Sequence, residues 1–257
     1  MSSAPTYGTP DNVLKLFAYS WIAWFTLPFL FLLLISVSHL DSVRAIMADG
    51  RFMAAFAISM VSAFAVIIIT ALFTVPTAYF LTYHRFSHSS IIEALLIDIP
   101  QTFPPVAVGV IYLFMLGPAS PINIAYTFAA VVIAKLIVSA PFGLSYTLRK
   151  FREIRESKLD LVARSLGAGT RDLLFLVLIP LAKQDITAGL TLSWARAMGE
   201  FGGSLIFAGV IAYKTEILPT YANRVVTSDP YSALAATTVL TVFAVLAIAA
   251  VRSLFKK

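Results

Sequence analysis

The chain has 257 residues, of which 59% are hydrophobic and 12% are charged, about half the charged share of an ordinary globular domain. A soluble domain of this composition could not cover its apolar side chains with a charged surface, which excludes a soluble enzyme, and the abundance of Phe, Val, Ile and Leu excludes a disordered chain. The composition therefore indicates an integral membrane protein. In such a protein the net charge of +6 reflects Lys and Arg kept on the cytoplasmic side. The absence of Cys excludes disulfides and cysteine-based sites.

Apolar runs of about 20 residues, the length that crosses the hydrocarbon layer, recur along the chain. The first follows a polar N-terminal segment, residues 1–16, and is too long for the core of a secretory signal, so it is expected to remain as a membrane helix. The sequence predicts an all-α integral membrane protein in which residues 17–257 form one transmembrane domain of six helices. The six spans are expected at residues 17–37, 53–83, 91–116, 122–148, 185–210 and 233–251.

The basic residues are distributed unevenly among the predicted loops. If both termini are cytoplasmic, most of the 19 Lys and Arg residues lie inside. Those left outside are Arg44, Arg51, Lys214 and Arg224. Because cytoplasmic loops carry the excess of Lys and Arg, this asymmetry predicts both termini in the cytoplasm and an even number of spans.

The third predicted span is interrupted by residues that do not suit a membrane helix. Asp98, Pro100, Pro104 and Pro105 stand within it, and each proline removes a backbone donor and clashes with the preceding helical turn. We therefore expect a broken helix, which is tolerated at membrane depth only against protein or a water-filled cavity.

One polar segment, residues 149–180, lies between the fourth and fifth spans on the predicted cytoplasmic side. Its residues 159–166 predict a short helix with one apolar face. The residues of that face are Leu159, Val162, Ala163 and Leu166. Gly167 is expected to close the helix in the left-handed conformation, Thr170 to cap the next helix, and Pro180 to bend or end it. From these residues alone, the short helix either lies on lipid headgroups or docks another protein.

The same segment resembles the loop through which ATP-binding-cassette (ABC) importer permeases couple to their ATPase, written E-A-A-x3-G-x9-I-x-L-P. Ala163 and Gly167 match the second Ala and the Gly, and Pro180 closes a conservative match to the end of the motif. The Glu is absent, and Asp160 and Arg164 are the nearby charges that would substitute for it. The resemblance assigns a short cytoplasmic coupling helix between helices four and five. The coupling residues that it implies are Asp160, Leu161, Val162, Ala163, Arg164, Gly167 and Pro180.

Within these permeases, the chain resembles the molybdate, tungstate and sulfate subset over about residues 54–250. The most specific stretch is residues 193–202, Ser-Trp-Ala-Arg-Ala-Met-Gly-Glu-Phe-Gly, which is similar to the subset's S-W-A-R-A-x-G-E-F-G. Supporting matches are Asp98 with Pro100, the Ser-Ala-Pro turn at 139–141 and residues 215–219. Lys135 departs from the subset, in which a neutral residue is expected.

Ionisable residues inside the predicted spans are candidates for a transport pathway. Arg196 lies about ten residues past Ile186, which puts it about 15 Å into the membrane. Glu200 follows at i+4 and is expected to pair with it, either as a gate or as a lock between helix five and helix three or four. Lys135 is expected to pair with Asp98 or Glu200, or to extend its stem to water. The candidate pathway or gate residues are Asp98, Pro100, Arg196 and Glu200.

The resemblance implies the membrane subunit of a type I importer that moves a tetrahedral oxyanion, molybdate or tungstate, across the cell membrane, with sulfate as the alternative cargo. Its partners would be a second copy of the chain, two ATPase subunits, an extracytoplasmic oxyanion-binding protein and membrane lipid, with no nucleic acid. The chain has no G-x4-G-K-[ST] motif, so it is expected to be no enzyme and to hold no cofactor, ATP and Mg²⁺ being bound by the ATPase. No metal is expected, because His84 and His88 have no carboxylate nearby. A more distant alternative is a channel or membrane enzyme that needs no ATPase.

Overall fold

The computed structural model describes residues 12–84 and 88–254. All regular structure in these two ranges is helical, and π-helical turns occur at Ala94–Asp98, Leu173–Leu178 and Ser204–Ala208. The α-helices are α1 (Asn12–Ser38), α2 (Leu40–Ala48), α3 (Gly50–Tyr83), α4 (Ser89–Glu93), α5 (Ile99–Thr102), α6 (Pro105–Leu116), α7 (Phe128–Glu156), α8 (Leu159–Ser165), α9 (Thr170–Asp172), α10 (Ile179–Met198), α11 (Leu218–Val225) and α12 (Pro230–Leu254). Residues 1–11 of the predicted polar N-terminus lie outside the described ranges.

Five helices in the described part of the chain are long and apolar enough to cross a membrane. They are Asn12–Ser38, Gly50–Tyr83, Phe128–Glu156, Thr170–Met198 and Pro230–Val251. A sixth candidate is the pair Ser89–Thr102 and Pro105–Leu116, which is bent by 114°. The break falls at Phe103 and Pro104, where neither Pro104 nor Pro105 has an N–H with which to continue a helix. The broken third helix that the prolines predicted is confirmed.

The fourth predicted span, residues 122–148, is displaced in the structure, because α7 begins at Phe128 and continues to Glu156. The side chain of Thr127 starts α7 by accepting a hydrogen bond from the N–H of Ala130, at 3.3 Å, as a helix cap does. The prediction rested on hydropathy alone. It therefore included the apolar residues before Thr127 in the helix and ended the helix at residue 148, where charged residues begin.

The predicted bounds of the fifth span, residues 185–210, are wrong at both ends. The helix begins at Thr170, passes through Pro180 and ends at Met198. Pro180 stands two residues after the end of the π-helical turn Leu173–Leu178, whose wider bonding pattern moves the carbonyl that the proline ring would meet in a regular helix. Pro180 therefore does not end the helix. The helix from Thr170 to Met198 connects the segment after α8 with the centre of the molecule.

Two apolar clusters mark the ends of the bundle. At the end that we call the α8 end, Ala163 of α8 packs against a buried cluster. Its buried members include Leu81, Leu148, Phe151 and Leu173. At the opposite end, the α11 end, the buried cluster includes Phe52, Leu218, Tyr221 and Val225. Helices α3, α7 and α10 run between the two ends and form the centre of the bundle.

Close contact among these three central helices depends on glycine and serine. A Cβ on Gly143 of α7 would lie 2.7 Å from Thr70 Cγ2 of α3, and a Cβ on Gly189 of α10 would lie 2.9 Å from Tyr146 Cβ of α7. Ser193 of α10 accepts a hydrogen bond from the N–H of Gly143 (3.0 Å) and donates one to the carbonyl of Ser139 (2.8 Å). These two backbone groups belong to the same turn of α7, so the hydroxyl of Ser193 ties α10 to the backbone of that turn.

We predict that Gly189→Ala lowers the free energy of unfolding by about 1–3 kcal/mol, because the added methyl group overpacks the contact between α7 and α10. Thermal unfolding of the purified protein in detergent measures the change. Gly199→Ala is the control, since the nearest neighbour of its Cβ in the described part of the chain would be the carbonyl oxygen of Ala195, at 3.9 Å. Equal stability of the two variants would contradict this description of the contact.

Candidate coupling and pathway sites

Backbone conformations with positive φ set α8 off from its neighbours. Lys158, just before α8, has φ +61°, and Gly167, just after it, has φ +92°. The N–H of Gly167 donates to the carbonyl of Arg164 (3.0 Å), and the N–H of Ala168 donates to the carbonyl of Ala163 (3.1 Å), which are the two bonds of a Schellman motif. The predicted left-handed closure by Gly167 is confirmed. A Cβ on Gly167 would meet nothing within 4 Å among the described residues, so in this part of the chain the glycine serves the backbone conformation and not packing.

Four apolar side chains of α8 and its cap are exposed. They are Leu159, Leu161, Val162 and Leu166, and we call them the outward face of α8. Leu166 is 84% exposed, whereas Asp160 is only 4% exposed and Ala163 packs on the buried cluster. The predicted apolar face is therefore wrong for Ala163: α8 lies against α7 and the following π-helical turn, and the residues three apart, Asp160 and Ala163, are turned to them.

The start of the next helix also differs from its prediction. Thr170 is the first residue of α9, and Gly169 precedes it as the cap. The carboxylate of Asp172 accepts a hydrogen bond from the N–H of Gly169, at 3.0 Å, and so satisfies the donor before the helix. The prediction that Thr170 caps this helix is wrong, because Gly169 is the capping position and Asp172, not Thr170, supplies the side-chain acceptor there.

A charged cleft of about 590 Å³ lies beside α8. It is lined by Arg152, Arg155, Glu156, Lys158, Asp160 and Leu161. Arg152 makes two hydrogen bonds to Glu93, at 3.0 and 2.6 Å, and thereby joins α7 to α4. Oδ1 of Asp160 has no hydrogen-bond partner among the described residues. Arg164 is exposed and donates to the hydroxyl of Tyr79, at 3.4 Å, so the two charges proposed to replace the motif's Glu lie in different surroundings.

The candidate pathway residues Asp98 and Pro100 lie on the bent third span. Asp98 is exposed at the end of the π-helical turn Ala94–Asp98. Pro100 lines an apolar groove of about 330 Å³ between α3, the bent span and α7, together with Thr70 and Pro141. Thr70 is buried, and its hydroxyl has no hydrogen-bond partner among the described residues.

Glu200 is fully buried and forms an internal helix cap. Its carboxylate accepts hydrogen bonds from the N–H of Gly203 (2.7 Å) and the N–H of Ser204 (3.2 Å), and it also accepts one from the hydroxyl of Ser204. Within the described chain Arg196 forms no ion pair with Glu200, so the predicted pair is wrong. The i+4 argument assumed a continuous helix, but α10 ends at Met198, and Glu200 turns to the segment that follows.

Lys135 is fully buried in the interface of α7 and α3. Its ammonium group donates to the hydroxyl of Ser62 (2.8 Å) and to the carbonyl of Ser59 (3.3 Å). All three predicted alternatives are wrong, since Lys135 makes no ion pair with Asp98 or Glu200 and does not reach water.

At the α11 end, a second buried carboxylate joins the start of α3 to α11. Glu216 is fully buried, and its oxygens accept hydrogen bonds from Nε of Arg51 (2.5 Å) and Nε of Arg224 (2.9 Å). The hydroxyl of Tyr221 donates to Asp49 at 2.6 Å, and the guanidinium of Arg224 lies over the ring of Tyr221. Glu216 is therefore bound by two guanidinium groups, and the hydrogen bond between Tyr221 and Asp49 lies beside it. Together these interactions fix the α11 end of the bundle.

The hydrogen bond between Tyr221 and Asp49 shifts both pKa values. The bond from Tyr221 is the largest effect on Asp49 and lowers the pKa of its carboxyl group. Burial first, and then the bond to Asp49, raises the pKa of Tyr221 to about 12. Asp49 is therefore charged and Tyr221 protonated over the whole neutral range.

Sequence reasoning missed this cluster at the α11 end. Arg51 and Arg224 were counted there as separate outside cations, and Glu216 was noted only as part of a motif. Arg51 and Glu216 are 165 positions apart in the chain, and no local periodicity connects them.

The described chain combines a broken third helix, a short exposed helix between two spans and a helix that stops beside a buried carboxylate. The model of the family "binding-protein-dependent transport system inner membrane component" matches residues 74–257. The chain belongs to this family. It is a permease subunit of an ABC importer, a non-enzymatic, multi-pass protein of the cell membrane.

Curated relatives carry related names. The chain is 33% identical over 207 residues to the molybdenum transport system permease ModB of Mycobacterium tuberculosis, covering 76% of both chains. It is 32% identical over 187 residues to the molybdate/tungstate permease WtpB of Thermococcus kodakarensis, covering 73% of both. It is also 27% identical over 181 residues to the sulfate permease CysT of Escherichia coli, covering 67% of this chain and 65% of that one.

A solved structure shares the fold. The bacterial alginate ABC transporter in complex with an alginate pentasaccharide-bound periplasmic protein contains a chain that superposes with a TM-score of 0.70 at 16% identity. The match covers 94% of this chain and 92% of that one. At this identity the similarity establishes the architecture of an importer permease and no more.

We predict that Tyr221→Phe lowers the stability of the protein by about 1 kcal/mol at neutral pH, a figure reduced for the partial exposure of Asp49. Because the bond stabilises the charged carboxyl group, its contribution is complete above the ordinary carboxyl pKa of about 4 and is lost as the pH falls through the lowered pKa of the folded state. Thermal unfolding of both proteins between pH 7 and pH 3 measures it.

The difference between Tyr221→Phe and the unmodified protein should shrink as the pH falls below about 4. Tyr213→Phe, at an exposed tyrosine of the same end, is the control and should have no effect. A difference that grows toward acid pH would contradict the assignment of the bond to the ionised carboxylate.

Proposed function

We propose that this permease moves a tetrahedral oxyanion, molybdate or tungstate, into the cell by ATP-driven alternating access. The names of ModB and WtpB support this cargo, as does the similarity of residues 193–202 to the pattern of the oxyanion permeases. The observation that carries the proposal is the outward face of α8. It is an exposed apolar surface on a short helix between two membrane spans.

The proposed assembly contains two copies of the chain, two ATPase subunits and an extracytoplasmic binding protein for the anion. The family description names binding-protein dependence, and the alginate transporter was solved with a periplasmic protein. Both termini and the α8 end are cytoplasmic in this proposal. The cations of the α8 end support that orientation. They are Arg149, Lys150, Arg152, Arg155, Lys158 and Arg164.

The ATPase would dock on the outward face of α8. Leu161, Val162 and Leu166 present apolar area to a groove of the ATPase, and Gly167 keeps the cap free of any side chain. Asp160 and Ala163 face the permease and anchor α8 against α7 and the α8-end cluster. Arg164 is the exposed charge at this surface and is available to an acidic group of the ATPase.

Motion of α8 would reach the pathway through a continuous helix. After Gly167 the chain enters the helix that begins at Thr170 and continues to Met198. A displacement of α8 would therefore be transmitted along this helix to the residues around Arg196. ATP binding would bring the two ATPases and the two α8 helices together and turn the pathway outward, and hydrolysis would reset it. ATP and Mg²⁺ belong to the ATPase in this scheme. The pathway residues that we propose are Asp98, Pro100 and Arg196, with Glu200 fixing the end of α10.

Sulfate is the alternative cargo, which the similarity to CysT favours. The size of the oxyanion is expected to be selected mainly by the binding protein. Binding measurements on that protein with molybdate, tungstate and sulfate therefore distinguish the cargoes, and sulfate bound more tightly than molybdate would select the alternative. The family match leaves no support for an ATPase-independent channel or a membrane enzyme.

We predict that Leu166→Glu removes the ATPase from the purified complex and abolishes uptake. An unpaired charge buried in the docking interface costs about 3–5 kcal/mol, which weakens association more than about 100-fold. The permease itself should still insert and unfold at the same temperature, because Leu166 is exposed. Co-purification with the ATPase and uptake of labelled molybdate into proteoliposomes measure the two effects.

The matched control for this experiment is Val226→Glu, which changes an exposed apolar residue beyond α11, at the opposite end. It should retain the ATPase. A complex with Leu166→Glu that keeps both its ATPase and its uptake would contradict the coupling role of α8.

A further inference from the structure

Arg196 has an unused guanidinium group at membrane depth. It lies in the last turn of α10 and is half-buried. Among the described residues it has no hydrogen bond, ion pair or ring contact. The acidic residue expected to satisfy it, Glu200, is held by Gly203 and Ser204. Five N–H donors are therefore available to another acceptor.

The depth of Arg196 can be measured along α10. Asp185 approaches Arg149 to 3.8 Å near the α8 end, which marks a polar boundary. Arg196 follows Asp185 by eleven positions, about 16 Å along the helix at 1.5 Å per residue. This is about half of a 30 Å hydrocarbon layer. A free cation at that depth is too costly to face lipid and must face protein or water.

The direction of Arg196 follows from the packing of α10. Trp194, two positions earlier and therefore about 200° around the helix, contacts Phe64 of α3 and Phe243 of α12. Arg196 lies on the opposite side, away from both helices. Next to it, Gly199 is exposed and the backbone leaves the helix. Irregular backbone at membrane depth also requires protein or a water-filled cavity, so this side of α10 faces either another subunit or a water-filled pathway and not lipid.

We infer that Arg196 is the anion-binding residue of the permease itself, and that the two copies of the chain contribute one Arg196 each to a shared site for a tetrahedral dianionic oxyanion in the pathway. This inference rests on the proposed function. A guanidinium presents a planar fork of N–H groups that matches two oxygens of such an anion, and two of them neutralise its charge. The site is transient, because an anion held tightly at mid-membrane would not be released.

The first experiment tests whether Arg196 faces water. The chain has no Cys, so a single thiol can be introduced without background. In the assembled complex, the thiol of Arg196→Cys should react with a charged, membrane-impermeant thiosulfonate reagent. The thiol of Trp194→Cys, at a buried position on the opposite side of α10, should not react. Equal protection of both thiols would overturn the inference.

The second experiment tests anion contact in proteoliposomes that contain the permease, the ATPase and the binding protein. Arg196→Gln should lower molybdate uptake about tenfold or more, and Arg196→Lys, which keeps the charge but loses the fork, should lose less. The unfolding temperature should not change, because Arg196 has no partner in the described chain. ATPase stimulation by the loaded binding protein should persist. Arg44→Gln is the control, since it removes an 80% exposed cation and should leave uptake unchanged.

The outcomes separate the inference from the proposed function. Normal uptake by Arg196→Gln overturns the inference. The loss of both uptake and ATPase stimulation in this variant also overturns it, because that result would assign Arg196 to coupling instead. If the unmodified complex shows neither uptake nor stimulation, the proposed function fails, and the thiol labelling still decides whether Arg196 lines an aqueous path.

Discussion

Backbone N–H and C=O groups have no water to bind in a bilayer, so a helix that stops inside it must have its free ends satisfied by the protein. The structure meets this requirement at the start of the helical segment that follows the end of α10 at Met198. Glu200 accepts the free N–H groups of Gly203 and Ser204, and Gly203 packs so closely on the bent third span that a Cβ there would lie 3.2 Å from the carbonyl of Pro105. The break in α10 and the break in the third span therefore depend on each other.

This requirement divides the buried charges into two groups. Glu200, Lys135 and Glu216 are all fully buried, and each is held by hydrogen bonds from helices or turns that must stay together. Arg196, in contrast, has no partner in the described chain, although it lies in the same part of α10. Charges of the first kind fix the framework, whereas the free charge of Arg196 is available to an anion. The continuous helix from Thr170 to Met198 connects that charge with the exposed surface of α8.

Local sequence patterns predicted the features that depend only on neighbouring residues. The all-helical class, the broken third span and the left-handed closure at Gly167 follow from composition, proline and glycine, and each is present in the structure. The predicted pair of Arg196 with Glu200 is wrong, because i+4 spacing has meaning only within one helix and α10 ends before Glu200. Lys135 finds Ser62 across 73 positions, a distance at which periodicity carries no information.

The central claim is that Glu200 belongs to the folded framework and that Arg196 is energetically independent of it. A double-mutant cycle of Arg196→Ala and Glu200→Gln, measured by reversible unfolding in mixed micelles, tests this claim most directly. The account predicts that Glu200→Gln alone destabilises the protein, that Arg196→Ala does not, and that the coupling energy is below about 0.5 kcal/mol. A coupling energy of about 1–3 kcal/mol would contradict it and would indicate a salt bridge between Arg196 and Glu200.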